Sequence, residues 1–125
     1  MRIHLIVVFF FSFLASCTVA QPGIYSTSSK KAIKLYEEAN ICYKDLDPQT
    51  GRRRSLGCAE SNALKALEKD EQFIDALLLL SEVKIAQNDF LSAIAYKERV
   101  LAINPAYSSN EFYYIASLAM GLGDY

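Results

Sequence analysis

From Ser29 onward the apolar residues recur in three- and four-residue steps, the spacing that gathers side chains on one face of an α-helix. Ala32, Leu35, Tyr36, Ala39, Cys42 and Tyr43 form the first stripe and predict a helix over Ser29 to Lys44. Ala59, Ala63, Ala66 and Leu67 predict a second over about Leu56 to Lys69. Ile74, Leu77, Leu78 and Ser81 begin a third, which the run Leu77 to Leu80 makes apolar nearly all round, as expected of a helix covered on two sides. Phe90, Ala93, Ile94, Lys97, Val100 and Leu101 stripe a fourth over about Phe90 to Ile103, with Asp89 as its N-cap and Pro105 as its stop. Ser108 and Glu111 then make a capping-box pattern ahead of Phe112, Ile115, Ala116 and Leu118, and Gly121 and Gly123 break that fifth helix. The expected fold class is all-α.

The stripes repeat. Ala59 is followed thirty-four residues later by Ala93, Ala66 by Val100, Leu67 by Leu101 and Lys69 by Ile103. Asn88-Asp89-Phe90 returns as Gly123-Asp124-Tyr125 at an offset of thirty-five. The unit from Ile74 to Tyr107 resembles the tetratricopeptide repeat from end to end. Leu77 stands in the first large-apolar slot, Leu80-Ser81 in the apolar-then-small pair and Asn88-Asp89-Phe90 in the turn. Ala93 is the small contact, Tyr96 the aromatic, Val100-Leu101 the apolar pair and Pro105 the stop. Lys84 and Lys97 depart from the pattern by replacing aromatics, which is expected to weaken packing locally. The resemblance implies an α-solenoid of antiparallel helical hairpins, about two and a half repeats long, occupying residues 29–125. Its last hairpin lacks a second helix, and Phe112, Ile115 and Leu118 make a poor polar cap, so either more chain or a partner is expected at that end.

The first hairpin carries an insertion. Asp47-Pro48-Gln49-Thr50-Gly51 is strong turn chemistry, and the connection is roughly ten residues longer than a regular unit needs. Cys42 and Cys58 flank this loop and could be bridged, stabilising by about 3 kcal/mol in the chain-entropy model. Two small buried residues on helix faces fit their spacing as well. Arg52-Arg53-Arg54 on the same loop either contacts acidic lipid or a partner carboxylate or simply keeps the loop solvated, the reading favoured here.

Ahead of the repeats, residues 1–20 have the organisation of a secretory signal: Arg2, an apolar run from Leu5 to Ala15, then small residues. The run is too short to span a bilayer, which needs about 20 apolar residues. Two cuts fit. Leu14-Ala15-Ser16-Cys17 resembles the lipobox of bacterial lipoproteins, implying lipidation at Cys17, whereas Thr18-Val19-Ala20 before Gln21 resembles an ordinary signal-peptidase site. Residues 21–28 then read as a linker.

Charge and chemistry narrow the function. The chain carries 14 acidic and 13 basic residues, of which only Arg2 lies in the leader, and this balance speaks against a nucleic-acid binder. The single histidine, His4, also lies in the leader, so Ser-His-Asp and Cys-His catalysis and a histidine-cysteine metal site are excluded from the mature part. Glu37 and Glu38 point apart on a helix, and Gly121-Leu122-Gly123 lacks the context of a phosphate loop. No enzyme activity and no cofactor are expected. The tetratricopeptide resemblance implies a concave groove lined by Asp75, Leu78, Glu82, Ile85, Asn110, Tyr113, Tyr114 and Ser117, suited to an extended peptide or a helix of another protein. Leu78 and Tyr113 could equally pack on a neighbouring segment.

The run from Lys30 to Ala39 soon after such a leader, then repeats, is similar to the start of certain envelope proteins. In those relatives the repeats precede a β-propeller and an OmpA-like peptidoglycan-binding domain, and some serve the type IX secretion apparatus. The expected function is a periplasm-facing scaffold or assembly factor, tethered to the outer membrane through Cys17. A pilotin-like lipoprotein that escorts an outer-membrane subunit is an alternative. A thiol-redox protein using Cys42 or Cys58 is another, from a different class. Intact mass of the protein recovered from bacterial membranes is expected to show an acylated N-terminus at Cys17; an unmodified chain starting at Gln21 would remove the anchor.

Overall fold

The computed structural model describes residues 24–121, with backbone alone for 108–114, so the stretch 1–20 expected to be a secretory signal, Cys17 included, lies outside the described residues. Five α-helices follow one another: α1 Lys30–Lys44, α2 Leu56–Lys69, α3 Ile74–Ala86, α4 Phe90–Ile103 and α5 Ser108–Gly121. Each packs on its neighbour in the chain, and α3 also touches α1. Among the described residues the architecture is all-helical, the only extended pairing being one isolated bridge between Leu46 and Arg53.

The helix ends follow local chemistry. Ser29 caps α1 by accepting from the Ala32 amide at 3.3 Å, and Asp89 caps α4 by accepting from the Ser92 amide at 3.2 Å. Between α3 and α4 the turn is closed by Asn88 at φ 60°, a left-handed conformation that asparagine tolerates. The Asn88 amide donates to the Ile85 carbonyl (3.0 Å) and the Asp89 amide to the Lys84 carbonyl (2.8 Å). These two bonds make a Schellman closure, and α4 starts one residue later. The start of α5 differs from expectation. Ser108 is not a cap outside the helix but its first residue, reached directly through the 3-10 turn Pro105–Tyr107. Asn104 begins that turn, its side-chain oxygen accepting from the Ala106 amide at 3.0 Å.

Small residues let the first two helices approach closely: Ala32 and Ala39 on α1 and Ala59, Ala63 and Ala66 on α2 are fully buried. Helix α3 is buried on almost every side, through Ile74, Ala76, Leu77, Leu79, Leu80, Ser81 and Val83. Leu77 and Leu80 are wholly excluded from water, each contributing about 1.5–3 kcal/mol. Ser81 fits the same interior because its hydroxyl donates to the Ala93 carbonyl of α4 at 3.1 Å.

The stretch expected to be a linker is, in its described part, docked on the helices. Tyr25 lies edge-on to Tyr36 of α1 (centroids 5.5 Å) and to Phe73 (6.3 Å), and Tyr36 and Phe73 meet at 5.3 Å. Thr27 is buried and donates to the Asp70 carboxylate. Phe73 is fully buried at the junction of α2 and α3 and touches both the N-terminal strap and α1. Phe73→Ala is expected to cost about 3–5 kcal/mol in urea unfolding, whereas Ile41→Ala, at a side chain 71% exposed, should cost under about 0.5 kcal/mol.

Candidate functional site

The residues expected to line a groove fall on α3 and α5. Asp75, Leu78, Glu82 and Ile85 lie along α3 and are half-buried. Ser117 is exposed on α5, and the side chains of Asn110, Tyr113 and Tyr114 lie outside the described residues. Two of the α3 carboxylates are engaged within the chain. Asp75 accepts from the Ser26 amide at 2.8 Å and from the Ser26 hydroxyl at 2.6 Å, so the strap covers that end of the face. Glu82 faces Lys97 of α4 at 3.9 Å. Leu78 packs against the core cluster, leaving only part of its surface to solvent.

Sequence reading missed what lies beside this face. Tyr36, with its hydroxyl's pKa pushed up first by burial and then by the Asp75 charge, joins Asp75 under the strap. Tyr25 donates to the Glu37 carboxylate at 3.2 Å, and its pKa is raised by burial and by that bond. The signal available was the composition of Tyr25-Ser26-Thr27-Ser28, an aromatic followed by three hydroxyls just ahead of the helix cap Ser29.

Lys84 and Lys97 both carry ion pairs. Lys97 is 3% exposed, its aliphatic stem filling the α4 stripe while its ammonium reaches the partly exposed Glu82. Lys84 meets Glu60 of α2 at 2.5 Å and Asp89 at 3.8 Å, linking α2, α3 and the α3–α4 turn. The bond to Glu60 raises the Lys84 pKa, and the bonds from Lys84 and then Gln87 hold Glu60 below its usual range. Both lysines thus make polar cross-links between helices.

The insertion is ordered by its own chemistry. A disulfide joins Cys42 and Cys58, with Cα atoms 5.8 Å apart. Cys58 is exposed and Cys42 half-buried. Asp47 accepts from the Gln49 and Thr50 amides, Gly51 adopts φ 68°, and the Asp47 amide returns to the Arg52 carbonyl at 2.7 Å. The arginine run divides its roles. Arg54 pairs with Asp45, whose second oxygen accepts from Ser55, and the Ser55 bond and then Arg54 hold Asp45 low. Arg53 lies over the Tyr43 ring at 3.7 Å and donates to the Tyr43 carbonyl at 2.6 Å. Arg52 is exposed.

Among the described residues no group of three or more histidines, cysteines or carboxylates could hold a metal, and no helix is long and apolar enough to cross a membrane. The chain matches no protein-family model and no curated protein.

Asp45, Glu60 and Asp89 all have folded pKa values below their ordinary ones, Asp89 through its cap bonds to Ser92. A lowered folded value means the contribution is complete above the unfolded pKa and is lost as pH falls through the folded one. The urea midpoint should therefore be flat between about pH 7 and 5 and fall below about pH 4. Glu60→Gln should remove part of that acid dependence and cost about 0.5–1 kcal/mol at pH 7.

Proposed function

We propose that the protein is a non-enzymatic scaffold or assembly factor of the bacterial cell envelope, a tetratricopeptide-type stack of helical hairpins that binds another protein or peptide. The observation that carries this reading is the state of α3. That helix is packed by α1, α2 and α4, yet leaves Leu78, Glu82 and Ile85 half-buried along one side. A buried helix that keeps one aliphatic and acidic side partly open is suited to receiving an extended segment or a helix. The thirty-four-residue spacing of Ala59 and Ala93, both fully buried, supports the repeat reading.

The envelope address rests on the leader and on the lipobox ending at Cys17. Acylation there would tether the domain, each buried methylene contributing about 0.8 kcal/mol. In this reading the groove begins after Asp75, because the strap already takes that carboxylate, and Leu78, Glu82 and Ile85 are the first positions open to a partner.

A photo-crosslinking amino acid at Ile85, in cells, should give one discrete protein adduct, while the same group at the exposed Ala95 of α4 should give none. Equal adducts at both positions, or none at either, would sink the scaffold reading. An adduct with an outer-membrane subunit would turn it toward the pilotin-like role.

A further inference from the structure

The α1–α2 connection and the α3–α4 turn border an open cleft of about 530 Å³, lined by Arg52, Arg53, Leu56, Ala86 and Asn88. Arg52 and Arg53 of the α1–α2 connection supply one wall of the cleft, and Ala86 and Asn88 at the end of α3 the other. Its cationic wall is held in position. Arg53 is stacked on Tyr43 and tied to the Tyr43 carbonyl through Nη1, which fixes the plane of its guanidinium while its other N–H groups remain available as donors. The loop itself is fastened by the Cys42–Cys58 disulfide, the Asp47 turn and the Arg54–Asp45 pair. Arg52, beside Arg53, is exposed and makes no ion pair among the described residues. The acidic groups nearest in sequence to the cleft are already engaged: Asp45 with Arg54, Asp47 with the Gln49 and Thr50 amides of its own turn, Glu60 with Lys84 and Gln87, and Asp89 with Lys84 and Ser92.

We propose that this cleft binds carboxylates of an acidic protein segment. Arg52 supplies the mobile charge and Arg53 the oriented fork, with bidentate pairing as the natural geometry for a carboxylate. Asn88 supplies an amide beside them, and Leu56 and Ala86 supply apolar surface for the rest of the segment. The apolar surface of Leu56 and Ala86 beside the arginines suits the side chains that flank a carboxylate in a peptide, which favours a protein segment over a lipid headgroup. The site is separate from the Leu78–Ile85 face, so it stands or falls independently of the scaffold reading.

The test uses isotopically labelled protein as recovered from cells, titrated with acetyl-triglutamate amide and observed by NMR. Saturable shifts are expected at the amides of Arg52, Arg53 and Asn88 and at the arginine Nε–H signals, with none from the triglutamine peptide. Arg52→Gln should weaken binding about tenfold with unchanged circular dichroism, and Lys65→Gln, an equal charge change on exposed α2 surface, less than about twofold. Absent shifts, shifts spread over the surface lysines, or equal responses to both peptides would overturn the proposal. A stronger response to inorganic phosphate or to phosphatidylglycerol vesicles than to the glutamate peptide would overturn the choice of ligand.

Discussion

The ring of Phe73 is where the described structure is joined. It sits in the short connection between α2 and α3, fully buried, and contacts Tyr36 of α1 and Tyr25 of the strap. Its carbonyl accepts from the Leu77 amide at 3.1 Å, so the same residue that anchors the aromatic cluster also opens α3. Aromatic side chains give large buried area and prefer the tilted and edge-on contacts seen here. Placing one such ring at a helix junction brings the strap, α1 and the α2–α3 connection together, beside the contact of α3 with α1.

From that junction outward, α3 is the interior helix and its polar residues serve its neighbours. Ser81 bonds to the backbone of α4, Lys84 to Glu60 of α2, and Glu82 faces Lys97 of α4. An ion pair at partial exposure contributes little by itself, whereas the buried Ser81 hydroxyl would be left unsatisfied without its bond to α4. No buried side-chain nitrogen or oxygen among the described residues lacks a partner. The polar groups on α3 thus tie it to α2 and α4.

The helices were legible because period and punctuation agreed. The boundaries Leu56 to Lys69 and Phe90 to Ile103 coincide with the observed ones, and Asp89 caps as its type and place suggest. The start of α5 was misread because a capping-box pattern at Ser108 and a helical turn begun at Asn104 and Pro105 look alike until the backbone between them is known. The docking of the strap left no periodic trace, since three residues are too few to carry one. The arginine run was read as a unit, yet its members part company: Arg54 to Asp45, Arg53 to Tyr43 and Arg52 to solvent.

The sequence by itself determined the helical class, the order of the elements, the extents of α2 and α4 and the turn chemistry of the long α1–α2 connection, because each rests on contacts within a few residues or on a residue's own backbone preference. Only the tertiary structure decided that Cys42 meets Cys58, that Lys84 and Lys97 find carboxylates on other helices, that Ser26 covers Asp75, and that the α1–α2 connection borders a cleft with Asn88. The reason is physical: most of these join side chains from separate elements, whose meeting depends on how the helices pack and not on their spacing along the chain.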